Sequence, residues 1–75
     1  MRHHYPILLY PDPQGGYVAE VPQLKGCLAQ GETLNECLAE LDTVIDLWLE
    51  TAKDRGITVP NTEAFLDQLK RAVNS

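Results

Sequence analysis

The sequence predicts an α+β fold: an antiparallel sheet in the order βββαβ, one long helix on one of its faces, and a short C-terminal helix. Three observations lead there. The first half of the chain holds short apolar runs separated by proline- and glycine-rich turns. One later segment, opened by a capping sequence and closed by glycine, repeats its apolar residues at helical spacing. A length of 75 residues, 44% of them hydrophobic, provides for one small core.

The first strand is expected over His4 to Tyr10. Pro6 has no amide donor, so this strand starts late or lies at an edge. Pro11-Asp12-Pro13-Gln14-Gly15-Gly16 is a turn sequence, with two prolines fixing φ and paired glycines open to positive φ. Tyr17 to Val21 follows as a second, antiparallel strand, ended by Pro22. Cys27 to Gln30 is the third. In Thr33-Leu34-Asn35-Glu36 the Thr33 hydroxyl can accept from the Glu36 amide, opening a helix. Leu34, Leu38, Leu41, Ile45, Trp48 and Ala52, flanked by Cys37, Val44 and Leu49, then form one apolar stripe that runs to a stop at Gly56. Ile57-Thr58-Val59 is expected as a fourth strand closed by Pro60. Thr62 to Leu69 is expected as a final short helix that frays beyond Arg71. The division implied is a domain over 1–60 and a helix or tail over 61–75.

Charge narrows the function classes. Six Lys and Arg against eleven Asp and Glu give a net charge of −5. Between Glu32 and Asp54 stand seven acids and one base, while the rest of the chain carries four acids and five bases. Sequence-independent nucleic-acid binding through a basic surface is not expected on that balance. The acidic segment suits a basic protein partner, or simply keeps a helix face solvated. No apolar run approaches the ~18 residues of a membrane span, and the N-terminal residues do not read as a signal peptide. The expectation is a cytoplasmic protein.

Catalytic chemistry finds little support in the residues. The one serine is Ser75, and His3 and His4 stand at the other end of the chain, where a frayed, solvated pair is expected. Cys27 and Cys37 lie ten apart without a CxxC pattern, and both read as core filler. Carboxylates such as Asp12, Glu20 and the helix acids could in principle meet around a metal, but no Asp-x-Asp pair stands on a strand. Gly15-Gly16 precedes a strand and not a helix, so it lacks the anion-binding helix end of a phosphate loop. No catalytic residue, cofactor or metal is assigned.

Two surfaces are candidates for partner binding. At 100° per residue, Leu47 falls opposite the apolar stripe, ringed by Glu36, Glu40, Thr43, Glu50 and Asp54. An apolar residue within an acidic rim fits a docking site for a basic partner. Asp12, Gln14, Tyr17 and Glu20, from the turn and the second strand, offer a second, polar and aromatic surface.

Several motifs stand in a recognisable order. Tyr5-Pro6-Ile7-Leu8-Leu9-Tyr10-Pro11-Asp12 is followed by Gly15-Gly16-Tyr17-Val18-Ala19-Glu20-Val21-Pro22, then Leu24-Lys25-Gly26-Cys27, then Gln30-Gly31-Glu32-Thr33-Leu34-Asn35-Glu36. Over residues 5 to 60 this series resembles the HicB antitoxin family. Cys37 stands where that family has a small residue after the capping Glu. The resemblance implies a partial ribonuclease-H-like fold without nuclease activity. It also implies a small basic RNA-cleaving toxin of the HicA type as partner, inhibited by occlusion of its catalytic histidine and RNA-binding surface. Many members carry a C-terminal DNA-binding domain. The fifteen residues after Pro60 suffice for one short helix and not for a dimeric DNA reader, so no operator binding is expected. Other readings left open are a stand-alone self-associating regulatory module and a divergent metal-dependent nuclease. Self-association as a dimer or tetramer is expected, because exposed sheet edges in small domains are often paired.

Overall fold

The computed structural model describes residues 3–59 and 62–74. Its element order is β1 (Leu8–Pro11), β2 (Tyr17–Glu20), β3 (Leu28–Gly31), α1 (Leu34–Arg55) and α2 (Thr62–Asn74). The strands form one antiparallel sheet in the order β1-β2-β3, with α1 across β3 and β2. The α+β class read from the sequence is the one observed.

Pro6 and Pro11 set the extent of the first strand. It begins at Leu8, after Pro6, and includes Pro11 at the sheet edge, where the missing donor costs no ladder bond. The turn that follows is closed by the Asp12 amide on the Gly16 carbonyl at 2.9 Å. Register then assigns the faces. Leu9, Ala19 and Ala29 form one transverse row on the α1 side; Leu8, Glu20 and Leu28, and likewise Tyr10, Val18 and Gln30, form rows on the other. Ala19 and Ala29 are buried, and their small side chains let α1 come close.

The core is the contact between that inner face and the helix. Ala19, Val21, Leu24, Cys27 and Ala29 meet Cys37, Leu41 and Ile45, with Trp48, Leu49 and Val59 packed around them. Val21, Leu24 and Cys27 belong to a tight loop in which the Val21 amide donates to the Cys27 carbonyl at 2.9 Å. Gly31 makes the fit possible at the helix start. A Cβ there would press on the Cys37 amide nitrogen and stand 2.7 Å from Cys37 Cα.

Both ends of α1 follow from local chemistry. Thr33 is extended and its Oγ1 accepts from the Glu36 amide at 3.1 Å. At the other end Gly56 is left-handed with φ 68°, while the Ile57 amide donates to the Ala52 carbonyl at 2.8 Å. That pairing is a Schellman closure, which satisfies carbonyls the helix would otherwise leave orphaned.

Four expectations are corrected. Ile57-Thr58-Val59 forms no strand: the segment leaves the helix cap irregularly, with Val59 against the core and Ile57 exposed. Pro60, expected to close it, lies outside the described residues. Leu34 is exposed, because the first position of α1 precedes the part of the helix that covers the sheet. His3 is docked and not frayed, its Nε2 standing 2.8 Å from Asp46 Oδ1 on α1 with the Tyr5 ring beside it. The last helix extends to Asn74.

Candidate interaction surfaces

Along the outside of α1 the sequence places Glu36, Glu40, Thr43, Leu47, Glu50 and Asp54 at intervals of three and four residues, the spacing of one helix face. All six are exposed, and Leu47 presents 60% of its surface. Four carboxylates thus share one solvent-facing strip with a leucine in it. Among the described residues, no side-chain hydrogen bond or ion pair ties these four carboxylates to the rest of the domain.

Leu47 also has a second setting that helical geometry alone does not reveal. It lines a groove of about 530 Å³ together with Val44, Trp48 and Ile57, and with Lys25 and Arg55. Trp48 holds one wall in place, its Nε1 donating to the Lys25 carbonyl at 2.9 Å. Leu47 therefore sits on a seam, with carboxylates on one side and an apolar groove bearing two cations on the other. The i, i+3 and i+4 spacing of Val44, Leu47, Thr51 and Arg55 is the one trace of this groove in the sequence. Ile57 and Lys25 come from outside the helix and leave no such trace.

The turn surface is divided by the structure. Asp12 accepts from the Gln14 amide at 3.0 Å through Oδ1, so its carboxylate serves the turn. With Tyr17, Gln30, Gly31 and Glu32 it borders a shallow hollow of about 200 Å³. Glu20 is elsewhere. It stands three residues beyond Tyr17 on the same strand, hence on the opposite face, between Leu8 and Leu28. Asp12, Gln14 and Tyr17 remain together, and the expected grouping with Glu20 is corrected.

Neither thiol is placed for chemistry. Cys27 and Cys37 are free and buried, and the Cys37 Sγ donates to the Ala29 carbonyl at 3.7 Å. Burial pushes both thiols above the ordinary value of 9.0. A buried neutral thiol favours the folded state while the unfolded thiol is still protonated; that stability is lost as pH rises past the ordinary thiol range. Native protein is expected to leave both thiols unmodified by an aromatic disulfide reagent at neutral pH, and unfolded protein to titrate two. Rapid labelling of either thiol in the native state would contradict the burial. Among the described residues, no group of three or more His, Cys, Asp or Glu is placed to hold a metal ion. No described helix is long and apolar enough to cross a membrane.

Comparison with known proteins gives a consistent set of relatives. The model of a family described as UPF0150-like matches residues 3–60. A UPF0150 protein of Synechocystis is 55% identical over 67 residues, covering 89% of this chain and 92% of the relative. A UPF0150 protein of the archaeon Thermoplasma acidophilum is 33% identical over 60 residues, covering 80% and 87%. No solved structure matches the chain.

Proposed function

This chain belongs to the UPF0150-like family, and on that premise we propose that it is a non-enzymatic binding protein that occludes a small basic RNA-cleaving protein. The resemblance of its motifs to HicB antitoxins supplies the partner class. The observation that carries the reading is the exposed carboxylate strip of α1, Glu36, Glu40, Glu50 and Asp54 around Leu47. An RNA-cleaving protein must present cations to phosphates. A rigid row of carboxylates competes for those same cations, and the apolar residue among them gives a contact that salt does not screen.

The strip rests on a 22-residue helix capped at both ends and fixed by its buried face. Binding there requires no reordering of the backbone, which lowers the entropy cost of association. Asp12, Gln14 and Tyr17 are a second contact region at the turn end of the sheet.

The test is reconstitution with a small basic ribonuclease recovered from the source organism on tagged protein. Stoichiometric binding is expected to stop RNA cleavage, and to weaken as salt rises. The triple variant Glu36→Lys, Glu40→Lys, Glu50→Lys is expected to keep its fold and to lose inhibition by at least tenfold. Undiminished inhibition by that variant would remove the α1 strip from the mechanism; failure to recover any basic ribonuclease would remove the partner class.

A further inference from the structure

We propose that the groove beside α1 is the seat of α2 from a second copy of this chain, and that reciprocal seating makes a two-fold symmetric dimer. The inference starts from surface that the single chain leaves open. It presents 5580 Å², whereas a compact monomer of 8.4 kDa presents about 4,600 Å². The radius of gyration is 13.5 Å, against about 11 Å for a compact chain of this length. The excess, roughly 1,000 Å², matches the ~800 Å² that each partner contributes to a standard protein interface.

Most of that openness has a local source. Among the described residues α2 packs against neither the sheet nor α1, and its first residue is held by the Gln23 side chain, whose Nε2 donates to Thr62 Oγ1 at 3.3 Å. Yet Phe65, Leu66, Leu69 and Val73 recur at helical spacing and fall on one face. Leu69 and Val73 are 45% and 83% exposed. A 13-residue helix is marginal in water by itself. An apolar stripe on such a helix is stable against an apolar surface.

The groove supplies that surface, and its length suits the stripe. Val44, Leu47, Trp48 and Ile57 form its apolar part; Lys25 lies beside Trp48, whose Nε1 donates to its carbonyl, and Arg55 stands about two turns further along α1. From Val44 to Arg55 the helix rises about 16 Å, and the α2 stripe from Phe65 to Val73 about 12 Å. The two lengths agree to within one helical turn, so the α2 stripe lies along the groove in full. This is helix-in-groove recognition with the groove and the helix on one chain. Repeated by a two-fold axis it closes and leaves no free copy of either surface.

Mass measurement by light scattering or sedimentation, at micromolar concentration, is the first arm of the test. The expected mass is twice that of the chain, and Leu69→Glu is expected to return it to the single-chain value with the α1 helix and sheet intact. The second arm identifies the occupant. Thr51→Cys and Leu69→Cys are made as separate proteins, mixed and oxidised, so that a bond between these positions can only join two chains. A band at twice the chain mass, removed by reductant and absent from either protein oxidised alone, is the expected result. A monomeric wild type overturns the proposal. So does a dimer that Leu69→Glu leaves intact, or a mixture that forms no cross-linked pair while the double variant closes a bond within one chain. Both arms are read on the protein alone, with no ribonuclease present, so failure here and failure of ribonuclease inhibition are scored separately although Leu47 belongs to both surfaces.

Discussion

Leu41→Ala is expected to destabilise the domain by about 2–5 kcal/mol, the range for removing a buried leucine from a core that cannot fully collapse. Leu41 is fully buried on α1, between Cys37 and Ile45, in one core cluster with Ala19 and Ala29. Those two alanines carry only methyl groups, which cannot extend into the void, and the helix backbone is held at both caps. The cavity therefore stays open. A chain of 75 residues has a total stability of about 4–11 kcal/mol, so this one change leaves a large unfolded fraction. Urea unfolding followed by far-UV circular dichroism, at one fixed chain concentration, reads the shift in midpoint. A midpoint within experimental scatter of wild type would mean that α1 does not pack as described.

Gly31→Val is expected to be comparably damaging, for the opposite reason. The position lacks room and not filling. A Cβ alone would already press on the amide of Cys37 and lie 2.9 Å from the Glu36 carbonyl carbon. These are backbone atoms of the first helical turn, so no side-chain rotation relieves the clash. Either α1 tilts away from β3 or its first turn unwinds, and both withdraw Cys37 from the core. Overpacking of this kind costs about 1–3 kcal/mol where side chains can yield, and here the backbone must move. Gly31→Ala is expected to show the same effect at smaller size. The thiols give an independent readout, because Cys37 becomes reactive as the helix start lifts.

The elements that sequence reasoning located best are those whose causes are local. Thr33 and Gly56 define α1 through contacts made within a few residues, and the proline and glycine runs mark the hairpin turn. Ile57-Thr58-Val59 is β-branched and reads as a strand, but strand formation also requires a free neighbour in register, which short-range pattern does not disclose. The division of Tyr17 from Glu20 was available from strand parity alone. The ring of acids about Leu47 followed from helical spacing, whereas the groove on its other side depends on Lys25 and Ile57, brought in by the fold. The contact between His3 and Asp46 spans 43 positions and has no signature in either neighbourhood.

The strand order carries a consequence for how the chain reaches its structure. Because the sheet runs β1-β2-β3 and α1 lies mainly on β3, each element up to Arg55 packs on the one made just before it. Among the described residues no crossover connection and no parallel pair has to wait for a distant segment. Loop closures are short, so little chain entropy is lost before the first contacts form. Such topologies fold quickly among proteins of mixed class. The hairpin can assemble while α1 is still being synthesised, and the helix then seals it.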